Sequence, residues 1–291
     1  MNHRSIRPAG VLLIFLAFSG CSINQMAMRL KPETIGPLIP NVLKKSEAKL
    51  AQRPDDQALI LDTGSFYVMY ANAFIQGPAE MLPAEEYLER EKALAEARRL
   101  YLRGAEILGG GLEKKFPGWK DRYPSYLSQV TKEDVPLIYW YAGGTLSAYG
   151  LDPFDLNLGM RLPELTAALA RAYELDPDFN SGALDDLYIL FYSSVPEGMG
   201  GDKSKVDIHY KRALEKTGGR SASPYISYAQ AVAYPAQDIE TFKSCLESAL
   251  AIKGGGANRL VNTIYQRKAR YLLNHAPEFF ADLDADTWGE W

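Results

Sequence analysis

Apolar and polar positions recur along this chain with the period of a helix. In "EEYLEREKALAEARRLYLRGAEIL", Leu88, Ala95, Leu102 and Ala105 fall on one stripe with charged residues opposite. Period-two alternation bounded by turns, the mark of a half-buried strand, is absent, so the pattern predicts an all-α fold. Four predicted helices close on one template: an apolar residue, an alanine three positions later and a helix breaker five after that. They are Leu102, Ala105 and Gly110; Leu169, Ala172 and Pro177; Tyr210, Ala213 and Gly218; Leu246, Ala249 and Gly254. The alanine lets a second helix approach a first, the bulky residue fills the groove beside it, and the breaker lets the chain reverse. The alanines lie 67, 41 and 36 residues apart. The last spacing approaches the roughly 34-residue period of tetratricopeptide repeats, and the others fit it with insertions. The first helix of each pair is then expected near residues 63–76, 135–149, 181–194 and 224–234, with a helix over 257–274 capping the stack.

The two ends of the chain read differently. The first twenty residues carry Arg4 and Arg7, then the apolar run "VLLIFLAFS", then Gly20-Cys21. This is the layout of a secretory signal peptide, and the run is too short to span a bilayer. "FSGC" is similar to a bacterial lipobox, which makes Cys21 the expected lipid attachment site; the alternative is an ordinary signal peptide followed by a free Cys21. Ser22 after the cysteine favours sorting to the outer membrane. The expected organisation is a signal peptide over 1–20, a lipidated tether over 21–45 with prolines at 32, 37 and 40, and a single helical domain over 46–291.

Charge narrows the partners. Removing the two signal arginines leaves 30 basic against 36 acidic residues, a charge of −6. A mildly acidic body without a basic run argues against nucleic acid and against electrostatic adhesion to anionic lipid. The tether must then be the lipid. With Cys21 acylated, Cys245 is the remaining cysteine, and it is expected as a small buried apolar residue. No internal disulfide is possible, so an exported domain of this size relies on its core.

Catalytic motifs do not emerge. The stretch "SSVPEGMGGDKS", residues 193–204, has three glycines, a lysine and a hydroxyl, but its spacing is not that of a phosphate loop, a helix precedes it, and Asp202 would repel an anion. It reads as a turn in which Pro196 and the glycines end one helix and Asp202 caps the next, with Met199 exposed at its tip. His209 and His275 lack partners at metal-ligand spacing and read as surface or capping residues. Asp185-Asp186 and Glu85-Glu86 are adjacent on helices and read as solvated or capping acids. The sequence therefore predicts neither an enzyme nor a metal or cofactor site.

Aromatic residues on the predicted first helices are the main candidates for binding. Tyrosine is a costly core residue because its hydroxyl needs a partner, and many on one set of helices suit a cleft for a partly apolar ligand. Trp140, Tyr188, Tyr192 and Tyr228 are the expected ligand-binding residues, with Tyr188 and Tyr192 one turn apart on one face. The other reading of each is inter-helix core. Gly143-Gly144 reads first as close helix packing, and second as room for a ligand.

Four segments make a resemblance specific: "DVPLIYW" (134–140), "RAYELDPDFNSGALDDLY" (171–188), "VPEGMGGDKSKVDIHYKRAL" (195–214) and "SPYISYAQAVA" (223–233). In that order, over roughly residues 60–255, they resemble the T-component lipoproteins of TRAP transporters. The resemblance implies an α-helical lipoprotein with degenerate tetratricopeptide repeats, a homotrimer with a pore or cleft in each subunit, and a TRAP periplasmic solute-binding protein as partner. It also implies an apolar or carboxylate ligand. The expected function is a periplasmic, lipid-anchored, non-catalytic protein that docks this partner and holds or passes its ligand. The alternative is an outer-membrane assembly scaffold without a small-molecule site.

Overall fold

The computed structural model describes residues 32–253, 259–281, 283, 288 and 289. The signal peptide, Cys21 and the expected helix breaker Gly254 lie outside the described residues. Among the described residues there is no strand, and ten principal helices carry the fold. They are α1 (Ile39–Gln52), α2 (Gln57–Tyr70), α3 (Tyr87–Lys115), α4 (Val135–Leu151), α5 (Leu162–Leu175), α6 (Ala183–Ser194), α7 (Val206–Thr217), α8 (Ser223–Tyr228), α9 (Ile239–Ala251) and α10 (Arg259–Asn274). Two of them run on into π-helical turns, α2 through Ala71–Gln76 and α8 through Ala229–Ala233.

Local sequence explains the ends. Asp56 accepts the Leu59 N–H at 3.0 Å to open α2, and Asp238 accepts the Thr241 N–H at 3.0 Å to open α9. A Thr131–Asp134 capping box leads into α4. Gly218, at φ +58°, ends α7 in the left-handed conformation that its lack of a side chain permits.

Helices α2 and α3, α4 and α5, α6 and α7, and α8 and α9 form successive antiparallel pairs, consistent with tetratricopeptide-like repeats. The template alanines sit where the pairs close: Ala172, Ala213 and Ala249 are 0 % exposed and Ala105 8 %. In the first pair the approach is closer still. A Cβ on Gly104 would lie 2.8 Å from the Gly64 carbonyl oxygen, so the two backbones are in contact there. Gly144 of α4 enters the same crossing against Val68, which confirms its packing role, whereas Gly143 faces open space.

Three expectations need correction. Gly110 does not stop α3, which continues to Lys115, because a helical glycine with no neighbour within 4 Å is compatible with continued winding. The first helix of the first pair starts at Gln57 and not near residue 63, since Asp56 supplies the cap. Residues 32–45, expected within the tether, are largely helical, and their Ile35, Ile39 and Leu43 are buried in the core because together they form the apolar face of α1 and its lead-in.

The stack closes on itself. Leu260 and Ile264 of α10 pack into the core shared by α1 to α6, while Ala269, Leu272 and Leu273 of the same helix pack into the core of α8 and α9. The Lys268 Nζ pairs with the Glu80 carboxylate at 2.6 Å, joining residues 188 positions apart. First helices α2, α4, α6, α8 and α10 therefore form an inner ring, and the second helices stand outside. Gln57–Ala79 is long and apolar enough by composition to cross a membrane. Its Ile60, Phe66, Val68 and Ala71 are core residues of the ring.

Candidate ligand-binding interior

Polar side chains of three first helices gather on the inner side of the ring. Tyr139 of α4, Asp186 of α6 and Tyr265 of α10 lie deep among the surrounding helices, yet each keeps accessible surface. Gly143, one turn after Tyr139, would have nothing within 4 Å of an added Cβ. Tyr265 also lines a cavity of about 330 Å³, together with Asn72, Gln76, Glu80, Ile264 and Lys268 among others. The lining on the α2 side is its π-helical turn, an unusual backbone that turns the Asn72 and Gln76 side chains towards the cavity.

Asp186 is the distinctive polar group of the interior. Its carboxylate accepts hydrogen bonds from the Ser223 hydroxyl at 2.5 Å and the Ser227 hydroxyl at 2.8 Å, both on α8. No cationic side chain pairs with it among the described residues. Burial pushes its pKa up, and the two serine hydroxyls oppose that shift without cancelling it. The interior thus disfavours the charged form of Asp186 relative to water. Burial, reinforced by the Asp186 charge, also raises the Tyr139 hydroxyl, and it pushes the Tyr265 hydroxyl up to about 12, so both remain donors at any physiological pH. The Tyr101 hydroxyl donates to Gln76 Oε1 at 2.6 Å and fixes that amide at the cavity wall.

The four expected ligand residues do not converge here. Trp140 rests edge-on against Tyr139, with ring centroids 5.2 Å apart. Tyr188 and Tyr192 do share a face and stack at 4.9 Å, but that face turns towards α7, where the His209 ring lies 4.6 Å from Tyr188. Tyr188 is 5 % exposed and belongs to the core between α6 and α7. Tyr228 stacks on Tyr210 at 4.1 Å and donates to Asp207 at 2.6 Å, beside an outer groove that also includes Cys245. Cys245 is buried as expected, and burial raises its thiol pKa.

The adjacent acids behave unlike the solvated pair expected from sequence. Asp185 is 0 % exposed. It takes His209 Nδ1 at 2.7 Å, Lys216 Nζ at 2.7 Å and the Tyr173 hydroxyl at 2.9 Å. Burial alone would raise it, but these three partners outweigh burial and hold the carboxyl below the usual carboxylate range. His209 is correspondingly buried and not a surface residue. One step of helical rotation sends Asp185 into the α6–α7 seam and Asp186 into the ring. His275 does cap, its Nδ1 bonding the Tyr271 carbonyl at 2.8 Å. In the 193–204 turn, Asp202 accepts the Ser204 N–H at 3.1 Å, Gly200 adopts φ +108° against Thr166, and Met199 is exposed, as the sequence suggests. Among the described residues no group of three His, Cys, Asp or Glu could hold a metal ion.

Sequence reasoning missed Asp186, Ser223, Ser227, Gln76 and Tyr265. The available signal was the i, i+4 spacing of Ser223 and Ser227 on an apolar first helix, which places two hydroxyls on one face.

Two comparisons with known proteins bear on the family of this chain. A family model described as TRAP transporter T-component matches residues 31–280. A protein of Treponema pallidum (strain Nichols), described as an uncharacterized protein, is 34 % identical over 258 residues, covering 84 % of this chain and 79 % of that one.

Proposed function

The chain belongs to the TRAP transporter T-component family, and we propose that it acts there as a lipid-tethered, periplasmic ring of helix pairs that docks a solute-binding protein and holds or passes a ligand through its interior. A component of a TRAP transporter is a transporter part and not a member of an enzyme family. The observation that carries the reading is the cavity of about 330 Å³ against the inner helices, lined by Glu80, Tyr265 and Lys268, with the half-buried Asp186 acting on Tyr265 beside it. Such space costs packing energy that a plain scaffold has no reason to forgo.

The lining suits an apolar molecule with a carboxyl end. Tyrosine rings offer apolar faces and hydroxyl donors, and the Tyr139, Tyr265, Ser223 and Ser227 hydroxyls can bond a carboxyl group. Cys21 carries the anchor in this reading, outer-membrane sorting follows from Ser22, and a homotrimer is the expected assembly. Trp140, Tyr188, Tyr192 and Tyr228 then act by supporting the ring wall and the outer surface.

The test is recovery of the lipidated protein from its own envelope, followed by native mass spectrometry. A co-purified TRAP solute-binding protein and a bound small carboxylic acid are expected; recovery of neither, from intact protein, would refute the reading. Cys21→Ser should move the protein to the soluble periplasmic fraction.

A further inference from the structure

The ring has two unlike edges. One is made by the turns within each pair, the other by the turns between pairs. The exposed large apolar residues gather on the first edge. Leu88 follows the turn of the first pair, Phe154, Leu156 and Met160 occupy that of the second, Met199 that of the third and Tyr234 that of the fourth. Phe154 is 91 % and Leu156 81 % exposed, values that leave almost the whole side chain in water. None of the exposed large apolar residues among the described residues lies in the opposite turns. There the surface carries Lys114, Lys120, Asp121, Arg122, Lys132 and Asp178.

The chain also enters from the apolar edge. Gly36 lies against Phe74 at the far end of α2, and Leu38 beside it is 47 % exposed. Cys21 and Pro32 are eleven positions apart, so the connecting chain reaches at most about 40 Å when fully extended. A chain that leaves this edge reaches a bilayer without crossing the domain.

We infer that the edge formed by the turns within the pairs is the membrane-facing surface of the ring, with Phe154, Leu156, Met160 and Leu88 inserted at the lipid interface. The occupant is the lipid surface that holds the anchor. A mildly acidic protein finds no electrostatic attraction there, so apolar side chains standing clear of the fold must supply the contact. The cavity lined by Glu80 and Lys268 lies at this same edge, beside Gly36, Pro37 and Met81. The inference rests on the reading of Cys21 as the acylated residue.

The experiment uses the lipidated full chain in a Cys245→Ala background on phosphatidylcholine vesicles with brominated acyl chains. An environment-sensitive fluorophore is attached through Leu156→Cys, Leu88→Cys or, on the opposite edge, Lys120→Cys. Flotation of the unlabelled protein reads the anchor separately. The expected result is flotation, with a blue shift and bromine quenching at positions 156 and 88 and neither at 120. Adding Phe154→Glu and Met160→Glu, which are too exposed to disturb the core, should remove the quenching at 88 while flotation persists. Flotation without quenching at 156 leaves the anchor standing and overturns the proposed facing. Cross-linking of position 156 to a second copy, or its burial only when a protein partner is added, also overturns it, in favour of a protein interface. Failure to float removes the anchor reading, and the proposal falls with it.

Discussion

Lys268 and Glu80 meet at 2.6 Å across the seam where the last inner helix returns to the first. The pair is partly exposed, with side chains 16 % and 29 % accessible, so its direct worth is about 1 kcal/mol or less. Its position matters more than its energy, because it locks α10 against the turn that follows α2. Lys268→Glu places two carboxylates together and is expected to speed amide exchange in α10 and lower Tm. The double swap with Glu80→Lys should recover most of the loss; no recovery would mean that the seam is held by apolar packing alone.

Of the four glycines in α3, Gly104 and Gly110 should respond in opposite directions. Gly104→Ala forces a Cβ to within 2.8 Å of the Gly64 carbonyl oxygen and of Val68 Cγ2. Backbone cannot yield there, so a loss of about 1–3 kcal/mol is expected. Gly110→Ala meets nothing within 4 Å inside a continuous helix, and should gain about 0.5–1 kcal/mol. Chemical denaturation of the two variants checks the contrast.

The Asp185 network makes stability depend on acid. Its folded pKa is depressed, so the stabilisation it brings is fully present above the unfolded carboxylate value, near 3.9, and is lost as pH falls through the folded one. At pH 7, Asp185→Asn leaves the Lys216 ammonium and His209 facing a neutral amide, at an expected cost of about 3 kcal/mol. The gap between variant and parent should narrow as pH approaches 3. A gap that stayed constant with pH would show that shape, not charge, is what the site supplies.

Asp186 carries the opposite sign. Its folded pKa is raised, so an ionisation penalty is absent below the unfolded value and grows as pH rises towards the folded one. Asp186→Asn keeps an acceptor oxygen for one of Ser223 and Ser227, presents its N–H to the oxygen of the other, and removes that penalty. The variant should be more stable than the parent at pH 8 and indistinguishable near pH 4, by thermal melts at both. Asp186→Leu, which removes the polar group altogether, should weaken retention of a carboxylic-acid ligand.

Much of this architecture was legible from local spacing. Leu169, Ala172 and Pro177 mark a helix, its close-packed face and its stop within nine residues, and Asp202 marks the next start. These signals are carried by neighbours three or four positions apart, which share a helical face whatever the rest of the chain does. Gly110 was misread because glycine permits a break without requiring one.

What only the tertiary structure decided is which partner each face meets. Tyr188 and Tyr192 could be placed on one face from sequence, but not the fact that His209 covers that face. Asp185 and Asp186 look alike in the chain, and one residue of helical rotation sends the first to a lysine and a histidine and the second to two serines. The closing of the ring through Lys268 and Glu80 depends on the summed rotation of four pairs. Helix periodicity fixes faces within a few residues, whereas curvature accumulates over the whole stack, and so the sequence by itself determined the repeat while packing alone determined the enclosed interior.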